Sequence, residues 1–130
     1  MKNKKILIIE NEKAIGNLAK FTLKARGVLV EIEFDHRKGF ALACNKPPDL
    51  FILGHNLPGT NLIQFLKDIR SVDELSESSI LVRIDESFKG SQDQLKLFGV
   101  KAVLESPFDT TILAETVISL LNEENTKTEE

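Results

Sequence analysis

The strongest constraint on this chain is an alternation: short, densely apolar runs recur between longer segments whose apolar residues fall at helical spacing. Lys5–Ile9 (KILII), Asp49–Leu53 (DLFIL), Ile80–Ile84 (ILVRI) and Lys101–Leu104 read as strands, and Val28–Phe34 (VLVEIEF) alternates apolar residues with Glu31 and Glu33. Between them, Lys13–Arg26 carries Ile15, Leu18, Ala19, Thr22 and Leu23 at helical spacing and stops at Gly27. A helix over Arg37–Asn45 ends before Pro47-Pro48, which cannot continue it. After the Pro58-Gly59 turn, Leu62, Ile63, Phe65, Leu66 and Ile69 share one helical face. Ser91–Phe98 predicts a short helix with Ser91, Leu95 and Phe98 inward, closed by Gly99. Asp109 caps a last helix that buries Ile112, Leu113, Thr116, Val117, Leu120 and Leu121.

Five strands alternating with five helices predict a parallel sheet covered on both faces, because parallel neighbours need crossover helices. The dense runs suit central strands and the alternating run suits an edge. The expected class is therefore α/β: a flavodoxin-like, doubly wound (βα)5 three-layer sandwich with a five-stranded parallel sheet of order 2-1-3-4-5. Two helices should cover one face and three the other. Functional groups belong at the carboxyl ends of the first, third and fourth strands, which are Glu10-Asn11, Gly54-His55-Asn56 and Ile84-Asp85-Glu86. Residues 1–121 form one domain, and 122–130 (NEENTKTEE), with no apolar residue, read as a disordered acidic tail or truncated linker.

Composition removes other classes. With 17 basic and 20 acidic residues the formal net charge is −3, so no cationic field exists to hold nucleic acid or an anionic membrane surface. Apolar runs such as Ile6–Ile9 reach only four or five residues, far short of the ~20 that a membrane span requires. One cysteine, Cys44, cannot form an internal disulfide, which points to a reducing, cytoplasmic setting. The stretch after the first strand (ENEKAIG) lacks the Gly/Ser/Thr-rich phosphate cradle of a flavin site.

KKILIIENEKAI, KPPDLFILGHNLPGTNLIQFLKDIR and FGVKAVLESPFDTTIL resemble three blocks of the receiver domain of two-component response regulators. The Pro58-Gly59 turn before an apolar helix and the Ser106-Pro107-Phe108 segment before a capped helix are the most specific anchors. The resemblance implies a phospho-switch. A histidine kinase donates a phosphoryl group to an Asp ending the third strand, and Mg²⁺ is held by an acidic pair after the first. A Ser/Thr ending the fourth strand and a Lys ending the fifth bind the phosphoryl oxygens. The chemistry needs those types: a carboxylate nucleophile, hard oxygen ligands for Mg²⁺, and a cation for the transferred group. The resemblance also implies a cis Ser106-Pro107 bond.

Carried onto this sequence, those roles fail together. The acidic pair falls on Glu10 and Asn11, the phosphoacceptor on Gly54, the hydroxyl on Ile84, and the lysine on Ser106. The aromatic switch residue of the fifth strand falls on Val103. The expectation is a degenerate receiver, a pseudo-receiver with no phosphoacceptor and a vestigial pocket of Glu10, Asn11, Gly54, Asn56, Ile84 and Ser106. It would serve two-component (phosphorelay) signalling as a phosphorylation-independent protein–protein interaction module, without enzymatic activity, cofactor or metal. The partner would be a protein, or a second copy, on the surface formed by the fourth helix, fifth strand and fifth helix. Lys96, Leu97 and Lys101 lie there, and Leu97, about 200° around the helix from Leu95, points outward. The alternative is a small-ligand sensor that uses the vacated pocket, where Gly54 and Ser106 leave room.

Plainer readings stand beside several of these residues. Glu10 is a candidate cation ligand with the Asn11 amide and Asn56 carbonyl; otherwise Asn11 caps the first helix and Glu10 complements its positive end. His55 should point away from the Gly54 position, because side chains alternate along a strand, leaving a loop histidine without a role. His36 is expected to be exposed without a partner, Cys44 a small core residue, and Asp85-Glu86 exposed loop charge.

Overall fold

The computed structural model describes residues 4–129, with side chains as far as Glu123; the tail expected over 122–130 lies, beyond that residue, outside the described side chains. Chain order is β1 (Lys5–Ile9), α1 (Lys13–Lys24), β2 (Leu29–Glu33), α2 (His36–Asn45), β3 (Leu50–Gly54), α3 (Leu62–Arg70), β4 (Ser79–Ile84), α4 (Gln92–Leu97), β5 (Val100–Glu105) and α5 (Thr110–Glu129). A short 3-10 turn at Asp73–Leu75, which the sequence reading did not contain, joins α3 to β4. All strand pairs are parallel and the order is β2-β1-β3-β4-β5, as expected.

Alternation along the strands sends apolar side chains to two cores. Ile6, Ile8, Ile52 and Leu81 pack with Ala19 and Leu23 of α1 and Leu113, Val117 and Leu121 of α5. Leu7, Ile9, Leu53, Val82 and Ile84 pack with Ala43 of α2, Phe65 and Ile69 of α3 and Leu95 of α4. Two helices thus cover one face and three the other. Strands β3 and β4 are buried throughout, whereas β2 and β5 carry the wetter patterns of edges.

Helix ends follow the local chemistry. Asn61 accepts from the Gln64 amide at the start of α3, and Asp109 accepts from the Thr111 amide at the start of α5. Gly27 and Gly99 take φ values of +82° and +77° beyond α1 and α4, conformations that cost a side-chain-bearing residue. The Ser106-Pro107 bond is cis.

Five side-chain expectations are corrected, the first being Ile112, expected on the buried side of the last helix but 50% exposed. Ser91 is not inward but exposed, as the N-cap of α4, where it and Gln94 form a reciprocal capping box. Cys44 is exposed, because Gly39 and Ala43 take the inward positions of α2. His36 is not free in solvent: its ring sits edge-on to Phe65 at 5.6 Å, and its Nε2 is buried without a hydrogen-bond partner. Asn11 does not cap α1; Glu12 occupies that position and makes no side-chain cap.

Candidate functional site: a buried arginine among carboxylates

At the carboxyl end of the sheet, side chains on the α1/α5 face converge from β1 and β4. Glu10 continues the inward side of Ile6 and Ile8, and Arg83 continues that of Leu81. Both are 2% exposed. Arg83 donates to Glu10 through two parallel bonds, Nε to Oε1 at 2.8 Å and Nη2 to Oε2 at 2.6 Å. This is the bidentate fork in which guanidinium and carboxylate match best. Nη2 also reaches Glu12 Oε2 at 3.0 Å, and Nη1 reaches Asp85 Oδ2 at 3.4 Å and Ser106 Oγ at 3.3 Å. Glu10 Oε2 further accepts from the Glu12 amide at 3.1 Å, which ties the carboxylate to the turn before α1.

Burying a guanidinium costs several kcal/mol of hydration, so an arginine here requires partners on every side. It has them. Burial works against the Arg83 charge, but the hydrogen bond and charge of Glu10, followed by those of Glu12, outweigh it and raise its pKa. One cation faces three carboxylates, so the cluster keeps a surplus of negative charge on its solvent side. Asp85 accepts from the Ser87 hydroxyl and amide, and from His55 Nε2 at 3.0 Å. Those bonds, the Ser87 hydroxyl foremost, lower its pKa to about 2.

Gly54 completes the arrangement by what it lacks. It pairs in register with Arg83 across β3 and β4. A Cβ built on Gly54 would stand 2.4 Å from Glu10 Oε1 and 2.5 Å from Cδ, closer than real contacts allow. The Glu10 carboxylate therefore occupies the space into which any side chain at position 54 would grow. Position 54 carries no nucleophile, and its missing Cβ is what admits the ion pair.

The structure brings together Glu10, Gly54 and Ser106 of the expected pocket, and separates Ile84 and Asn56 from it. The Ile84 side chain lies in the core on the opposite face, and only its carbonyl approaches, accepting from the Ser106 amide at 2.8 Å and hydroxyl at 3.2 Å. Asn56 is exposed and borders another groove, with His55 and Phe88. Asn11 is half-buried beside Glu10. Val103 packs, half-buried, against the α2/α3/α4 core. Lys96, Leu97 and Lys101 are exposed, Leu97 at 83%. His55 is not without a role: its Nε2 holds Asp85, which in turn accepts from Arg83, and its ring packs edge-on to Phe88 at 5.5 Å. Asp85 is half-buried and shared between Arg83, His55 and Ser87, whereas Glu86 is exposed.

The room expected beside Glu10 is taken. The cavity there, walled by Ile15, Gly16, Phe108 and the Glu10–Arg83 pair, measures about 10 Å³, space for a single water at most. Among the described residues no group of three His, Cys, Asp or Glu side chains is placed to hold a metal ion. The sequence reading missed Arg83 as the organising group. The signal was present: ILVRI places one charge in a strand otherwise fit for burial on both faces, and such a charge demands partners.

No protein-family model matches the chain. Among curated proteins it is similar to the KDP operon transcriptional regulatory protein KdpE of Escherichia coli, 31% identical over an alignment of 102 residues that covers 73% of this chain and 45% of that protein. It is also similar to the DNA-binding dual master transcriptional regulator RpaA of Synechocystis, 29% identical over 90% of this chain and 48% of that one. The chain thus spans less than half the length of these relatives. Among solved structures, the chemotaxis response regulator CheY4 of Vibrio cholerae superimposes with a TM-score of 0.82 at 25% identity, covering 90% of this chain and 98% of that one. A CheY-like response regulator receiver domain protein of Methanospirillum hungatei gives 0.84 at 21% identity, over 95% and 98%. No helix among the described residues is long and apolar enough to cross a membrane. Strand order, cis-proline loop and structural neighbours agree: this chain has the fold of a CheY-like response-regulator receiver domain.

Proposed function

We propose that this chain is a signalling module of the receiver type that does not undergo aspartyl phosphorylation and acts through protein–protein contacts in one fixed state. One observation carries this reading: the Glu10–Arg83 ion pair fills the space beside Gly54 where an acceptor side chain and its phosphoryl group would need to lie. A phosphoryl donor would meet no carboxylate on β3, and Arg83 is already saturated by Glu10, Glu12 and Asp85. The half-buried Val103 offers no ring to change orientation. Contact with a partner would then fall to the α4–β5–α5 surface, where Lys96, Leu97 and Lys101 stand exposed.

Treatment with acetyl phosphate and Mg²⁺ tests the reading. Intact-mass measurement is expected to show no added phosphoryl group, and beryllofluoride is expected to leave the amide resonances around Val103 unmoved. A labile adduct mapped to Glu10, Glu12 or Asp85 would overturn it.

A further inference from the structure

Two surfaces on opposite faces of the sheet complement each other. Between α1 and the β5–α5 loop runs a groove of about 360 Å³, with Ile15, Leu18, Pro107 and Phe108 on its walls and Glu12 and Asp85 at its rim. Glu10 balances the charge of Arg83, which leaves those two carboxylates to set the sign of the groove. Leu18 is 45% exposed there. On the other face, α4 presents Leu97, 83% exposed, next to exposed Lys96 and with exposed Lys101 on the adjoining strand. One surface is an apolar groove with an acidic rim, and the other an apolar knob flanked by cations.

We propose that the Lys96–Leu97–Lys101 patch of one copy seats in the Glu12/Asp85 groove of a second, so that the chain associates with itself head to tail. Because α1 and α4 cover opposite faces of the sheet, no molecule can fill its own groove with its own patch. A contact between unlike surfaces leaves one groove and one patch free at the ends, so growth continues beyond a dimer unless the rotation closes a ring. The proposal rests on the interaction-module reading and narrows it by naming the partner. Net charge of −3 opposes association at long range, so attraction must come from this local complementarity.

Sedimentation velocity from about 10 μM to about 1 mM, the range of contacts worth about 4–7 kcal/mol, tests this. The average mass of the unmodified chain is expected to rise past that of a dimer. Leu97→Glu removes the patch and Leu18→Lys the groove. Each is expected to weaken association about tenfold or more, the scale of burying one leucine, with an unchanged melting curve. Mixed in equal amounts, the two variants are expected to form a dimer that grows no further, since one intact groove meets one intact patch. Should either variant unfold, Lys96→Glu with Lys101→Glu replaces the first and Leu18→Ser the second. A monomer at every concentration, or a mixture that stays monomeric, overturns the proposal. A dimer plateau broken by Leu97→Glu and untouched by Leu18→Lys overturns the head-to-tail contact in favour of a symmetric pair and leaves the interaction-module reading standing. That reading fails on its own terms if acetyl phosphate labels the protein.

Discussion

Two arginines are withdrawn from solvent at opposite ends of the sheet, and their partners differ in kind. Arg70, at the end of α3, donates to the main-chain carbonyls of Leu75, Ser76 and Ser78 through Nη1 and to that of Phe98 through Nε at 2.8 Å. It ties the loop before β4 to the turn after α4. Arg83 instead donates to the side chains of Glu10, Glu12, Asp85 and Ser106. Burial lowers the pKa of Arg70, with Glu77 opposing, whereas the carboxylates around Arg83 more than cancel its burial. Carbonyls cannot be titrated and hold one geometry; carboxylates carry charge that must be balanced. Arg70 is therefore a staple of the fold, and Arg83 is the counterion of a site that would otherwise hold uncompensated negative charge.

The sharpest way to break this contrast is to remove each arginine in turn. Arg83→Met keeps much of the buried stem but leaves Glu10 charged and unpaired at 2% exposure. Losing one partner of a buried pair costs about 3–5 kcal/mol, and denaturant unfolding is expected to show a loss on that scale. A loss under about 1 kcal/mol would mean that Glu10 finds water or another donor at little cost.

Gly54→Asp probes the same cluster from the neighbouring strand. It restores the residue type that aspartyl chemistry uses, yet its Cβ would stand 2.4 Å from Glu10 Oε1. Forcing an extra group into a filled core costs about 1–3 kcal/mol, and an added carboxylate beside Glu10 adds repulsion. The variant is expected to be less stable and still to take no phosphoryl group from acetyl phosphate. Efficient labelling would show that the Glu10–Arg83 pair yields readily.

Arg70→Ala is expected to cost less, about 1–3 kcal/mol, because the released carbonyls lie near the surface where water can replace the donor. Hydrogen exchange should quicken around Ser76–Ser78 and Phe98–Gly99, while the amides of Glu12 and Asp85 stay unchanged. A disturbance that reached the carboxylates would show that the two arginines are coupled through β4.

The contrast also explains how much was legible in the sequence. Period and punctuation pointed to the strand order, because short dense runs such as KILII and DLFIL, set between segments of helical period, suit central strands buried on both faces. The lack of a side chain at Gly54 was equally plain. What replaced it was not, since Glu10 and Arg83 lie 73 positions apart and meet only once β1, β3 and β4 are in register. Sequence spacing shows each as a lone charge. Cys44 and Ser91 were misplaced for a related reason: on short helices one residue is 100° of rotation, and local caps decide where the inward face begins.

The smallest expected effect separates the two ends by pH. Asp85 titrates at about 2 in the folded chain against an ordinary 3.8, held down chiefly by the Ser87 hydroxyl and amide and then by His55. A depressed carboxyl favours the folded state wherever the unfolded chain is also ionised. Its contribution is therefore complete above about pH 4 and fades as pH falls through 3.8 toward about 2, where the unfolded state takes up the proton first. Asp85→Asn removes that dependence. The difference in stability between the unmodified chain and this variant is expected to be flat from pH 5 to 7 and to shrink below about pH 4. The corresponding difference for Arg70→Ala should change less across the same window, because the hydrogen-bond acceptors of Arg70 are main-chain carbonyls, which bind no proton there, and Glu77 acts on it through charge alone. A gap between the unmodified chain and Asp85→Asn that stayed constant down to about pH 2 would show that Ser87 and His55 do not hold the carboxylate in solution, and that the outer edge of the Arg83 cluster is looser than its geometry implies.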